Sequence, residues 1–292
     1  VRSFGVAQLE EGRQLRSILP DVEIIVFGGC TPEEVNEFKE LRLTAALFRT
    51  DWIPPEVSLE IEIETGMGRL GIPPEDLRSL LQRCGDRVTG VYSTLASADV
   101  DPAYTRRQID RFQQATEGLS LRRHLSNTAG LQFSRAAELQ AVRPGLSLYG
   151  YGAGTGMEQL KPPLEWKSVI LACSRLERNS RIGYGGSFVT DRSIRTAVVA
   201  AGYADGYRRA FSNRAWVSTS QGSAPVVGRV SMDVTTLDVS ELKSVDVGDE
   251  VSLLDPDPEV GLSAAQLADW AETIPYEILT GIGPRVVRRY HE

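Results

Sequence analysis

Short apolar runs and helical patterns alternate along the first half of the chain. Between the apolar runs at 4–7 and 22–27, Leu9, Leu15 and Leu19 have the spacing of one helix face. Thr31-Pro32-Glu33-Glu34 offers a capping residue, a proline in the first turn and a glutamate at the third position, which predicts a helix start. The predicted strands are 4–7, 22–27, 43–48, 57–64, 88–95, 121–128 and 141–148, and helices begin near 9, 31, 73, 103 and 134.

This alternation predicts an α/β fold with a parallel sheet, because strands separated by helices pair in parallel. Seven strands are counted, whereas a closed barrel of this kind has eight, each followed by a helix. The chain opens at Val1 without a Met and enters a strand-like run within a few residues. We therefore expect a (β/α)8-type barrel at 1–155 that lacks its first βα unit.

The pattern changes after a glycine- and proline-containing stretch at 150–163, which we interpret as a linker. Long β-prone runs follow and predict a β-rich C-terminal domain at 164–292. The runs are 168–176, 194–201, 215–220, 225–239 and 250–254, with one late helix at 263–273.

Composition and charge exclude several classes of partner. The net charge of the 292 residues is −7 and the basic residues are dispersed, so neither nucleic acid nor a membrane surface is an expected partner. No apolar run reaches the length of about 18 residues that a membrane span needs, and no leader pattern precedes the first strand, which makes the cytoplasm the expected location. The three cysteines have no metal-binding spacing, so no metal is expected.

Barrel enzymes place their sites at the C-terminal ends of the strands, often with a phosphate held after the last two. Here the strand at 121–128 ends in His124-Leu125-Ser126-Asn127-Thr128-Ala129, and the strand at 141–148 contains Arg143-Pro144-Gly145. Hydroxyl groups, an amide and small-residue backbone at this position suit a phosphate. The alternative is that Asn127 and Thr128 only cap a helix.

Seven motifs in this sequence resemble those of the alanine racemase family, in family order and across the whole chain. They are Glu64-Thr65-Gly66-Met67-Gly68-Arg69-Leu70-Gly71, Asn127-Thr128-Ala129, Arg143-Pro144-Gly145, Gly183-Tyr184-Gly185, Gly202-Tyr203-Ala204-Asp205-Gly206, Gly228-Arg229-Val230-Ser231-Met232-Asp233 and Pro275-Tyr276-Glu277. The resemblance implies two-base racemisation of alanine with pyridoxal 5′-phosphate, supplying D-alanine for peptidoglycan. It also implies a head-to-tail homodimer in which each subunit completes the other's site.

The resemblance assigns the proton-handling residues. Tyr184 matches the tyrosine that removes the α-proton of L-alanine from across the dimer, and His124 matches a relay histidine between this tyrosine and Arg143. Arg143 matches the arginine that faces the pyridine nitrogen; a guanidinium cannot accept that proton, so the ring stays unprotonated and is a weaker electron sink. A satisfied core histidine and a structural salt bridge are the alternatives for His124 and Arg143.

The remaining matches concern binding. Arg69 resembles the arginine that contacts the cofactor's phenolic oxygen and the substrate carboxylate, and Met232 resembles a residue of the substrate pocket wall. Beside Asn127, the residues Thr128, Gly145 and Tyr276 match the cofactor phosphate site. Simple core packing of Met232 and a buried structural role for Tyr276 are the alternatives.

The sequence departs from the family pattern at two positions. The family's cofactor lysine, at the end of the first strand and before a Tyr-Gly-His-Gly run, has no match, since the only lysines are Lys39, Lys161, Lys167 and Lys243. Glu62 stands where many relatives have a lysine modified to a carbamate, and we hypothesise that its carboxylate supplies the same negative charge beside Arg69.

Three functional hypotheses follow. The first is a racemase whose 292 residues form an inactive fragment, because the lysine segment is expected to precede Val1. The second is a non-catalytic cofactor-binding or dimer-forming relic, which does not account for the joint presence of Tyr184, His124, Arg143, Arg69 and Met232. The third, a decarboxylase of the same barrel class, needs an acid and thiol pair that the C-terminal half does not contain.

Overall fold

The computed structural model describes residues 1–152, 159–257 and 259–291, so the predicted domain boundary at residue 155 lies outside the described residues. The chain forms two compact units. Among the described residues, the first contains 1–147 and Gly152, and the second contains 148–151, 159–257 and 259–291. No helix among the described residues is long and apolar enough to cross a membrane.

The first unit is a parallel sheet with helices between its strands, the arrangement of part of a barrel. The sheet order is β1-β2-β3-β4-β5-β6 and every pair is parallel. The elements are β1 Ser3–Val6, α1 Leu9–Ile18, β2 Glu23–Val26, α2 Val35–Glu40, β3 Thr44–Leu47, β4 Ser58–Glu62, α3 Leu77–Cys84, β5 Val88–Tyr92, α4 Pro102–Ala115, β6 Arg122–His124 and α5 Ser134–Ala137.

The two faces of this sheet differ in polarity. Leu59 and Ile61 of β4 are fully buried and belong to one apolar cluster with Phe38 of α2 and Phe112 of α4. Because successive side chains of a strand point to opposite faces, the glutamates that alternate with them in β4 point to the inner face. The apolar core therefore lies between sheet and helices, and the inner face carries ionisable groups.

The strand predicted at 141–148 is wrong, and the described first unit has six strands rather than seven. Only Ala141 forms a bridge with His124, and the Arg143 N–H donates to the Ser126 carbonyl at 2.8 Å. Pro144 then removes a backbone donor, and Leu146–Tyr149 forms a 3-10 helix. This segment continues the sheet edge through isolated contacts only.

The second unit is an antiparallel β domain. Its main sheet has the order β12-β11-β14-β7-β10-β13, and β8 pairs with β9. Its elements are β7 Trp166–Leu176, β8 Arg181–Ile182, β9 Phe188–Val189, β10 Ile194–Val199, β11 Trp216–Thr219, β12 Gly222–Pro225, β13 Thr235–Asp238, β14 Glu250–Leu254, α6 Ala264–Ala271 and α7 Pro275–Gly281.

The single strand predicted at 225–239 is wrong, because β12 ends at Pro225 and β13 begins only at Thr235. Gly228 turns the chain between them with a φ of 80°, and a Cβ there would lie 2.9 Å from the Ile182 carbonyl oxygen. The segment between the strands is a loop that carries Met232.

Candidate active site

The C-terminal ends of β4, β5 and β6 place three polar side chains in register. Glu62 pairs with Tyr92, and Tyr92 pairs with His124. The rings of Tyr92 and His124 stack with centroids 5.1 Å apart and planes 7° from parallel. Three strands thus build one polar layer, as expected at the catalytic end of a parallel barrel sheet.

Arg143 lies over this layer. Its Nη1 contacts Nδ1 of His124, and its Nη2 donates to the Ser93 carbonyl at 2.7 Å. The guanidinium carbon lies 5.1 Å from the ring centre of Tyr92 and 5.9 Å from that of Phe27, within cation–π distance of both. The guanidinium is therefore held from several sides at the strand ends.

His124 is engaged through both ring nitrogens. Nδ1 contacts Arg143, as the resemblance implies, whereas Nε2 lies 2.7 Å from Oε2 of Glu60. Both ring nitrogens therefore have partners within the first unit, and the relay between Tyr184 and Arg143 stays a prediction. Burial lowers the pKa of His124, and the Arg143 charge lowers it further against the influence of Glu60.

A cluster of small donors surrounds Thr128. Its Oγ1 accepts from the N–H groups of Gly145 and Ser147, each at 3.2 Å, and lies 3.4 Å from Oγ of Ser147. A Cβ on Gly145 would meet no atom within 4 Å, so the space beside this cluster is open. In this arrangement both N–H groups donate to Thr128, and hydroxyls and backbone N–H groups gathered beside open space have the chemistry of a phosphate site.

Asn127 caps the turn that follows β6, which is the alternative to phosphate binding that the sequence left open for it. Its Oδ1 accepts from the Gly130 N–H at 2.9 Å, and its Nδ2 donates to the Leu95 carbonyl at 3.3 Å. Both ends of the amide are thus used within the loop, which orders the neighbouring Thr128.

The loop after β4 carries Arg69 with an exposed side chain. Glu64 accepts hydrogen bonds from the N–H groups of Gly66 and Gly68, and so folds this loop. Glu62 is buried and accepts from Thr94 Oγ1 at 3.2 Å and from the Tyr92 hydroxyl at 3.3 Å. Burial raises the pKa of Glu62, while the charges of Arg69 and Arg143 oppose that rise.

The other predicted site residues belong to the second unit, where all three are exposed. Tyr184 is 74% exposed and stands between Gly183 and Gly185, whose φ values are 70° and 72°. Met232 and Tyr276 are 51% and 43% exposed. The alternatives that Met232 is simple core packing and that Tyr276 is a buried structural tyrosine are therefore wrong.

Comparison with known proteins agrees with the motifs. The family profile "Alanine racemase, N-terminal domain" matches residues 1–153, and "Alanine racemase, C-terminal domain" matches 163–290. The chain belongs to the alanine racemase family. The alanine racemase of Thermodesulfovibrio yellowstonii is 36% identical over 302 residues, covering 98% of this chain and 82% of its own, and that of Geobacter sulfurreducens is 36% identical over 318 residues, covering 99% and 83%.

Solved structures of alanine racemases have the same fold. The biosynthetic enzyme of Pseudomonas aeruginosa superposes with a TM-score of 0.89 at 28% identity, covering 100% of this chain and 86% of that one. The enzyme of Bartonella henselae, described with covalently bound pyridoxal phosphate, gives 0.88 at 27% identity, covering 99% and 85%.

Two residues at the site of this alanine racemase family member, Glu60 and Arg122, were not predicted from the sequence. Glu60 contacts His124 and has no exposed surface, and Arg122 contacts Glu60. The signal was present in Leu59-Glu60-Ile61-Glu62, where period-two alternation puts both glutamates on one face of a buried strand. A buried face with two carboxyl groups indicates a polar barrel interior.

Proposed function

We propose that this protein interconverts L- and D-alanine with pyridoxal 5′-phosphate as cofactor. The observation that carries the proposal is the Arg143 guanidinium, held at the strand ends next to the hydroxyl and N–H groups of Thr128, Gly145 and Ser147. Family membership supports the reaction, and the donor set supports a ligand with a phosphate group and an aromatic nitrogen.

The residues present fit this cofactor. Thr128, Gly145 and Ser147 would hold the phosphate, with Tyr276 as the further contact implied by the resemblance, and Arg143 would donate to the ring nitrogen. When bound, pyridoxal phosphate supplies an electron-withdrawing ring that acidifies the α-C–H bond of an attached amino acid. Because the Arg143 guanidinium only donates hydrogen bonds, the ring nitrogen would have to accept and so would stay unprotonated.

The non-covalent contacts of Thr128, Gly145 and Arg143 would contribute to the affinity for the cofactor. Lys39 lies on α2 with its Nζ 2.7 Å from Oε2 of Glu56 and is not one of these contacts. Absorbance titration with pyridoxal phosphate measures the affinity directly.

Proton transfer is assigned to Tyr184 of a second copy of the chain. The flanking glycines present the phenol to solvent, which suits a side chain that completes another subunit's site. A phenol must lose its proton before it can act as a base, so positive charge in the assembled site must stabilise the phenolate. Met232, also exposed, would come from the same copy and limit the substrate side chain to about a methyl group.

Arg69 would bind the alanine carboxylate, with Glu62 as its charge partner. The buried Glu62 carboxyl is oriented by two hydroxyl donors and needs no modification to carry a negative charge. Glu62→Gln is expected to weaken binding of both pyridoxal phosphate and L-alanine. Unchanged affinities for both would contradict this assignment.

The function is tested by following L-alanine in D₂O with the full chain and pyridoxal phosphate. Loss of the α-proton NMR signal reports proton removal from L-alanine, and chiral chromatography reports D-alanine. Tyr184→Phe is expected to slow α-proton exchange by at least about 100-fold. Tyr290→Phe is the matched control, since Tyr290 is 90% exposed.

If the unmutated chain and Tyr184→Phe exchange the α-proton at the same rate, Tyr184 is not the base. If pyridoxal phosphate produces no exchange above its rate without protein, the proposed function is wrong for this chain.

A further inference from the structure

Five ionisable side chains form a continuous chain across the inner face of the first unit. Arg122 donates to Glu23 through Nη1 and Nη2 at 2.6 and 2.7 Å, and through Nε to Oε1 of Glu60 at 3.1 Å. Oε2 of the same Glu60 contacts Nε2 of His124 at 2.7 Å, and Nδ1 of His124 contacts Arg143. Charges therefore alternate in sign on either side of one imidazole.

The donor and acceptor roles in this chain are determined by chemistry. A guanidinium only donates hydrogen bonds, so Nδ1 of His124 must accept from Arg143. The imidazole proton is then on Nε2, where it points at the Glu60 carboxylate. Only the neutral, Nε2-protonated form of His124 satisfies both contacts.

The Glu60 carboxylate is itself fixed. Arg122 occupies Oε1, which leaves Oε2 for His124. The neighbouring strand makes room for it at Gly90, where a Cβ would lie 2.6 Å from Oε1 of Glu60. Although burial by itself raises the pKa of Glu60, its bonds and charge interactions with His124 and Arg122 hold that pKa below the usual range.

We propose that Glu60 is a positioning residue that holds His124 in the Nε2-protonated form, and that His124 in this form aims the Arg143 guanidinium at the strand ends. In an Nδ1-protonated ring the Nδ1–H would point at an N–H group of Arg143, and this repulsion would release the guanidinium. This inference rests on the proposed function in one respect only, the identity of the group that Arg143 faces. The direction in which Glu60 and His124 hold the Arg143 guanidinium does not depend on a bound ligand.

The protonation form is measurable by NMR of the full chain labelled with ¹⁵N-histidine. The sequence has two histidines, His124 and His291, so His291→Gln assigns the signals. At pH 7 we expect His124 to show one protonated and one unprotonated nitrogen, with the proton on Nε2 and protected from exchange with water. An Nδ1-protonated ring, an imidazolium, or a freely exchanging Nε2 proton would overturn the proposal without any variant of Glu60.

Glu60→Gln gives the sharper test. The glutamine amide has one oxygen and one NH₂ group, and it must offer the oxygen to the Arg122 cation. Its NH₂ group then faces His124, whose Nε2 has to accept, so the imidazole proton moves to Nδ1. Glu23→Gln is the matched control, because Glu23 contacts Arg122 and not His124. An unchanged His124 spectrum in Glu60→Gln would overturn the proposal.

Pyridoxal phosphate binding gives a second readout. Losing one hydrogen bond to a charged group is expected to weaken binding in Glu60→Gln by at least about tenfold, against about twofold or less in Glu23→Gln. Equal affinities of the two variants would refute the aiming of Arg143 by Glu60. If the unmutated chain binds no pyridoxal phosphate, the proposed function fails, whereas the histidine spectra still decide the present inference.

Discussion

Gly90→Ala tests the fixed position of the Glu60 carboxylate with the smallest change of side chain. The added Cβ would lie 2.6 Å from Oε1 of Glu60 and 3.1 Å from the Arg122 carbonyl oxygen. The φ of Gly90 is not in the left-handed region, so alanine brings no backbone strain. Any loss of stability therefore comes from the contact with Glu60 and Arg122.

The magnitude follows from how little the carboxylate can move. Glu60 has no exposed surface and is bonded to Arg122 and to His124, so a shift of about 0.8 Å toward an ordinary 3.4 Å contact breaks at least one of these bonds. Overpacking costs about 1–3 kcal/mol, and a lost hydrogen bond to a charged group about 1.5–3 kcal/mol. We expect Gly90→Ala to lower the free energy of unfolding by about 2–4 kcal/mol.

Hydrogen exchange with mass spectrometry measures this loss in peptides of β4, β5 and β6, which separates the first unit from the second. Gly145→Ala is the matched control, because its Cβ would meet nothing within 4 Å. In a Glu60→Ala background the carboxylate is gone, and the cost of Gly90→Ala should fall below about 1 kcal/mol. A cost that is the same in both backgrounds would refute the reasoning.

Three further outcomes are expected. Burial lowers the pKa of His124, so below about pH 6.5 the folded chain binds fewer protons than the unfolded chain. The free energy of unfolding should therefore fall as the pH drops from about 6.5 through the folded pKa. His124→Gln should remove this part of the pH dependence of the urea midpoint. Ser263→Ala removes the cap that accepts from the Gln266 N–H and should cost about 1 kcal/mol in urea unfolding, while Ser263→Asp retains it. Glu64→Ala should speed amide exchange at 65–70 around Arg69, and unchanged exchange would mean that Glu64 does not fold this loop.

Much of the first unit was predictable because its elements follow local rules. Thr31 begins the predicted helical segment, and its N–H donates to the Glu34 carboxylate at 2.8 Å. The predicted strand at 57–64 is observed as β4, and the predicted helix at 103–115 as α4. In each case apolar residues recur along the sequence with a period of two residues for a strand or about 3.6 residues for a helix.

The failures have a common physical cause. At 141–148 and 225–239 the composition is β-prone, but Pro144 and Pro225 remove backbone donors, and Gly228 turns the chain at a positive φ. Apolar composition reports burial and does not report which backbone groups are paired. Those two segments therefore looked like strands without having the partners that a strand needs.

The motifs could place His124 and Arg143 together, but not the residue on the far side of His124. Glu60 lies 64 positions earlier in the chain, and its contact depends on the register of β4, β5 and β6. A one-residue shift in that register would turn Glu60 to the apolar face. The sequence contains the alternation that predicts a polar inner face, and only the paired strands decide which carboxylate contacts which base.

An inner face with buried charges is costly, and the arrangement of this one indicates why it is tolerated. Each ion that leaves water loses several kcal/mol of hydration, which one well-placed opposite charge only partly restores. Here Glu60 lies between Arg122 and His124, and Arg143 has both the imidazole and the Ser93 carbonyl as acceptors. A cation that must keep a fixed direction at the strand ends needs acceptors behind it that cannot rotate away. A carboxylate locked by an arginine on one side and an imidazole on the other meets that need, which a single exposed salt bridge would not.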